Sequence, residues 1–125
     1  MSDKLALLIW AATPDRPELI ATPLVHALAA RALDAEVEIH FAGPAIRWLF
    51  SDTAIAAYPT PEREKSVRQF LDEVLESGAS LFVCSMARAA WSAPEAPLID
   101  ARIRAAGATA FVARTLEPAW KTLVF

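Results

Sequence analysis

Residues Ser80 to Ser92 read SLFVCSMARAAWS, a short apolar run that delivers the chain's only cysteine, Cys84, into a turn and then a segment compatible with a helix. A continuous apolar run of this length, preceded by a glycine at Gly78, reads as a strand covered on both faces. Leu81 to Cys84 is therefore taken as a strand, and Cys84 as the residue at its C-terminal end. That placement organises the reading of everything on either side.

Upstream, Leu5 to Trp10 is a second apolar run and gives the first strand. Thr13 to Leu19 holds Pro14 and Pro17 and makes the loop at its C-terminal end. From Glu18 to Leu33 the apolar spacing predicts a helix. Pro23 leaves two starts open: a helix capped by Thr22 with proline at its first position, or an earlier, kinked turn. Glu36 to Phe41, EVEIHF, alternates strictly and predicts a half-buried edge strand, with Val37, Ile39 and Phe41 on one face and His40 outward among acids. Ala45 to Phe50 predicts a short helix burying Trp48. Residues 51–60 have no period and form the longest irregular stretch, a kind of loop that often lines sites.

Thr60-Pro61-Glu62 has the composition of a helix start, and Val67, Phe70, Leu71, Val74 and Leu75 follow at amphipathic spacing up to Gly78. Downstream of the central segment, Pro94 and Pro97 precede a predicted helix over 98–106 that ends at Gly107. Ala108 to Ala113 predicts a fourth strand, Thr115 to Ala119 a turn of helix, and Lys121 to Phe125 a terminal strand. The alternation predicts an α/β fold, a three-layer α/β/α sandwich on a mostly parallel five-stranded sheet. A strand order 2-1-3-4-5 suits an alternating edge strand and apolar central ones. It also places Cys84 at the switch point, beside the loop after strand one.

Composition narrows the function. A chain of 125 residues fits one domain, residues 1–125. Its 55% hydrophobic content exceeds the ~45–50% usual in soluble domains and predicts surface buried in a homo-oligomer. A net charge of −3 with both signs mixed offers no basic stripe for nucleic acid. Residues 4–12 are too short to span a bilayer, and no signal peptide is recognisable, so a cytoplasmic protein without membrane contact is expected. Three scattered glycines build no phosphate loop and no nucleophile elbow. One cysteine with His26 and His40 makes no familiar metal set.

Cys84 is thus the candidate catalytic residue. A thiol at a strand end that opens a helix meets the positive end of the helix dipole, which favours thiolate. Arg88 adds positive charge four residues on, and Arg88, Ser85 and Thr13 are by position the candidate substrate-binding residues. Without a second cysteine a CxxC redox cycle is excluded. Cys-His hydrolysis is disfavoured, with His26 inside the first helix and His40 on the expected edge strand. A single thiolate can still accept a sulfur atom, hold it as a persulfide and pass it to a partner's thiol. The alternative is a buried, inert cysteine in a non-catalytic oligomeric subunit or small-ligand binding module. Trp91 and Trp120 are expected to pack or to lie at interfaces. A flavodoxin-like FMN role lacks the small hydroxyl and glycine residues of a phosphate cradle.

The order of elements and the strand ending VCSMARAAW, from LALLIW through HFAG to the final FVARTLEPAWKTLVF, resemble the DsrE/DsrF-like sulfur-relay proteins of the YchN-like fold. That resemblance implies a trimer or hexamer, no metal or organic cofactor, and sulfur donor and acceptor proteins as partners. It also implies that Cys84, which matches the family's position after the third strand, carries a persulfide.

Overall fold

A computed structural model describes residues 3–50, 56–93 and 95–125. Lys4–Ile9 (β1), Glu36–Phe41 (β2), Ser80–Cys84 (β3), Arg104–Ala106 (β4) and Trp120–Val124 (β5) form one sheet in the order β4-β3-β2-β1-β5, every pairing parallel. The helices are Ala21–Ala32 (α1), Val67–Glu76 (α2), Ser85–Trp91 (α3) and Ala108–Leu116 (α4). Short 3-10 turns occupy Pro17–Leu19 and Gly43–Leu49.

The layers follow from this order. The connections from β1 to β2, β2 to β3 and β3 to β4 all step the same way across the sheet, so right-handed crossovers put their helices on one face. The last connection runs back from the β4 edge to the β5 edge, and the same handedness sends α4 to the opposite face. Accordingly Leu7, Ile9, Val37, Ile39, Phe41, Leu81 and Val83 share one core with Leu24, Leu71, Val74 and Ala87. Ala6 and Trp120 meet Phe111 of α4 in a separate, smaller one. One face is thickly covered and the other carries a single helix of nine residues.

The sequence reading of an α/β fold holds, with corrections. The order is not 2-1-3-4-5, because β2 is the central strand rather than an edge, and every residue of it after Glu36 is buried. Its alternation is real but has another cause: Glu38 and His40 face α4 instead of water, and only Glu36 is exposed. The helix predicted over 98–106 is absent. Leu98 bridges Phe50, Asp100 closes a turn on the Arg102 N–H at 2.8 Å, and 104–106 is the edge strand β4. The strand predicted over 108–113 is α4, and Gly107, expected to end a helix, is instead the N-cap of one. A short run such as ATAFVA satisfies both periods, and its tertiary setting decides.

Two other boundaries have local explanations. Helix α1 starts after Ile20 and places Pro23 in its first turn, where a missing N–H leaves no bond unmade. Trp48 is fully buried, as expected, and its Nε1 donates to the Ala12 carbonyl at 2.7 Å. Helix α2 starts at Ser66, not at Thr60. Arg63 takes a left-handed φ of 54°, which interrupts any helix begun at Pro61. The Ser66 hydroxyl accepts from the Gln69 N–H at 3.2 Å while Gln69 Oε1 accepts from the Ser66 N–H at 2.7 Å, a reciprocal capping box. The helix ends before Gly78, whose φ of 93° and close approach to the Arg31 guanidinium both favour glycine. Ser66→Ala is expected to lower unfolding free energy by about 1 kcal/mol in urea denaturation, and Thr60→Ala to change it by less than about 0.5 kcal/mol.

Candidate functional site

On the thinly covered face, the side chains of successive strands form a row in register: Arg104 beside Phe82, Phe82 beside His40, His40 beside Leu8. One step further along the strands, Cys84 is paired with Ala106. Helix α4 covers part of this surface but leaves a cavity of about 160 Å³ at the C-terminal ends of β2, β3 and β4. Leu8, His40, Phe82, Cys84, Phe111 and Val112 wall it, and Ala106, Gly107 and Ala108 contribute little bulk. Cys84 is free and half-buried at the junction of β3 and α3. A space of this size is well below the ~300–1,000 Å³ of pockets for drug-sized ligands, so it suits a few heavy atoms and no flavin or nucleotide.

Beneath the cavity lies a polar network. His40, only 6% exposed, stacks on Phe82 with centroids 4.8 Å apart and meets Phe111 edge-on at 5.5 Å. Its Nε2 lies 3.1 Å from Glu38 Oε1. Arg114 of α4 grips the same carboxylate with both arms, Nε to Oε1 at 3.0 Å and a terminal nitrogen to Oε2 at 2.7 Å, and its guanidinium lies 4.2 Å over the Trp120 ring. Burial alone would raise the Glu38 carboxyl, but the hydrogen bonds from Arg114 and His40 hold it below the ordinary value. For His40 burial wins over the attraction of Glu38, and its pKa is lowered, so the ring is neutral near pH 7. A neutral ring beside a carboxylate carries its proton on Nε2 and leaves Nδ1 as an acceptor. Among the described residues the His40 ring has one hydrogen-bond partner, Glu38.

The residues singled out from sequence are not all brought together. Cys84 lines the cavity, but Thr13, Ser85 and Arg88 do not. Because β2 separates β1 from β3, the loop after β1 is one strand further from Cys84 than the expected order required. The Thr13 carbonyl instead closes a turn with the Arg16 N–H at 2.9 Å. Ser85 is exposed on a helix of seven residues. Arg88 donates to the Ala96 carbonyl at 3.2 Å and lies over Phe50 at 5.4 Å. Residues 51–55 of the irregular stretch lie outside the described residues. Ala56 to Thr60 border a groove with Pro14 and Pro17 that shares no residue with the Cys84 cavity.

Sequence reasoning missed Glu38, His40 and Arg114 as neighbours of the site. The signal for Glu38 and His40 is the polar face of EVEIHF, which reads as solvated, and nothing in the sequence links Arg114 of α4 to it. His26 stays on α1, exposed, with Nδ1 2.8 Å from the Thr22 carbonyl. Trp120 is buried as expected, whereas Trp91 is half exposed. Among the described residues no cluster could hold a metal ion, and no helix is long and apolar enough to cross a membrane.

The network makes stability depend on pH. A histidine whose folded pKa lies below its ordinary 6.5 contributes fully above that value and progressively less as pH falls beneath it. A carboxyl depressed below 4.5 contributes above that value and is lost as pH falls through its folded pKa. Both act in the same direction. The urea midpoint should therefore decline in two stages on acidification, each at most about 1.4 kcal/mol per pH unit. His40→Phe should remove the first stage and Glu38→Gln the second.

A match to the model of the DsrE/DsrF-like family covers residues 4–125. Among solved structures, the YchN protein from E. coli superposes with a TM-score of 0.73 at 17% identity, over 100% of both chains. MTH1491 from Methanobacterium thermoautotrophicum, a protein of unknown function, superposes with a TM-score of 0.69 at 14% identity, over 99% of this chain and 100% of its own. No curated protein matches the chain. The DsrE-like family is associated with sulfur relay. With nearly the whole chain matched and the same fold in both neighbours, the protein belongs to the DsrE/DsrF-like family.

Proposed function

We propose that the protein is a sulfur carrier that holds sulfane sulfur on Cys84 as a persulfide and passes it to a partner's thiol. The observation that supports this most is the position of the only cysteine, half-buried at a strand end and lining a small apolar cavity, in a family associated with sulfur relay. In loading, the Cys84 thiolate attacks the outer sulfur of a donor persulfide, a new S–S bond forms, the donor's own S–S bond breaks, and the donor leaves as a thiol. In delivery, an acceptor thiolate attacks the outer sulfur on Cys84 and the cysteine is regenerated. Neither step needs a metal, an organic cofactor or an external oxidant.

The partners in this reading are a donor and an acceptor protein, in a cytoplasm that keeps a lone thiol reduced. Val112 and Leu116 of α4 and Val124 of β5 are exposed, consistent with a thinly covered face completed by further copies in a homotrimer or hexamer. Light scattering at micromolar concentration should then give a mass of at least three chains, and a monomer would remove the assembly part of the proposal.

Intact-mass spectrometry of the native protein after exposure to a small persulfide donor should show a gain of one sulfur atom, reversed by reductant and absent in Cys84→Ser. No gain, with Cys84 also refractory to alkylation until unfolding, would assign the chain to the non-catalytic members of its fold.

A further inference from the structure

The wall of the cavity on the thin face gives water almost nothing to bind. Phe82, Phe111, Leu8 and Val112 form it together with Cys84, and almost none of its surface is nitrogen or oxygen. His40 borders the space, but its ring bonds to Glu38, which does not line it. A buried water needs about two to four polar partners, and this wall does not supply them. An apolar cavity of about 150 Å³ lined by Leu, Ile and Phe stays dry and takes up benzene. The cavity beside Cys84 has a similar lining and about 160 Å³.

The room in it comes from three small residues in a row, Ala106, Gly107 and Ala108, where β4 ends and α4 begins. The backbone does not require the glycine. Gly107 has a φ of −98°, which any residue adopts, and a Cβ built there would meet nothing within 4 Å. Gly107, Ala108 and Val112 are exposed, which puts the mouth of the cavity at the start of α4. Among the described residues no lysine or arginine lines the space. Arg114 is engaged with Glu38, Arg104 lies over Phe82 at 5.6 Å, and Arg88 donates to the Ala96 carbonyl. An anion entering it would lose its water without gaining a cation, which is costly. An uncharged apolar molecule would lose little and gain close contact with carbon and sulfur on several sides.

We infer that this cavity is a binding site for a small, uncharged, apolar organic group, an aromatic ring or short alkyl chain on the order of six heavy atoms. The binding is non-covalent and needs no sulfur chemistry. Because Cys84 forms part of the wall, an occupant lies against the thiol. Its bearing on sulfur transfer rests on the carrier reading: a small-molecule donor whose organic group is seated here is uncharged and apolar, and an anion such as thiosulfate is not.

The test is calorimetric titration of the full chain with benzene and, at the same concentrations, with benzenesulfonate, in the wild type and in Ala106→Leu, which places a larger side chain beside Cys84. Folding of the variant is checked by circular dichroism. The expected result is saturable binding of one benzene per chain in the wild type, its loss in the variant, and no binding of benzenesulfonate. Wild-type crystals soaked in bromobenzene should show the bromine by anomalous scattering between Phe82, Phe111 and Cys84, and this locates the site even if the variant does not fold. Absence of saturable benzene binding would overturn the inference, including the case where a side chain from a second copy fills the space. Equal binding of benzenesulfonate, a folded Ala106→Leu that binds as the wild type does, or bromine bound elsewhere would also overturn it. Persulfide loading of the wild type is read separately. Loading without benzene binding removes the cavity's role and leaves the carrier, whereas benzene binding without loading keeps the binding site and removes the carrier.

Discussion

The handedness of the chain's crossovers shapes this molecule more than any single contact. Three connections step in one direction across a parallel sheet and one returns, so three helices are committed to one face and α4 alone to the other. The thick face buries Trp48, Phe41, Leu71 and their neighbours, and supplies most of the apolar burial that holds the fold. On the thin face a nine-residue helix has to cover the ends of several strands, and it does so incompletely. The gap it leaves is where Cys84 meets space.

A thin layer needs a fastener, and Glu38 and Arg114 provide it. A carboxylate on the central strand would be costly under a helix unless paired. Arg114 pairs it in two-pronged fashion and is itself stacked on Trp120 and bonded to Glu117 at 3.2 Å. The same carboxylate anchors His40. One interaction thus positions α4 over the sheet and orients the imidazole at the cavity, coupling the packing of this face to the chemistry it can support.

Legibility in the sequence divides along the same line. The apolar runs of β1 and β3, the amphipathic face of α2 with its end at Gly78, and the burial of Trp48 were readable because each depends on local period or composition. The strand order was not. EVEIHF alternates whether its polar face meets water or a guanidinium 76 residues away, and only tertiary contact distinguishes the two. The same limit affected 98–113, where a strand of alanines and a β-branched helix each carry a pattern typical of the other. For the site, Cys84 was evident as the lone thiol at a strand end. Arg88 is near Cys84 along the chain, and Thr13 would be near it only in a 2-1-3-4-5 strand order. The network actually beneath the cavity comes from β2 and α4, with no sequence motif linking them.

The location of a loaded sulfur atom tests this account most directly. Crystals treated with a small persulfide donor, measured at a wavelength where sulfur scatters anomalously, should show a second peak bonded to Cys84 Sγ inside the cavity bounded by His40, Phe82 and Phe111. A second sulfur directed away from that cavity, on the side of Arg88 and Phe50, or a Cys84 that takes up none under conditions where small thiols do, would contradict it.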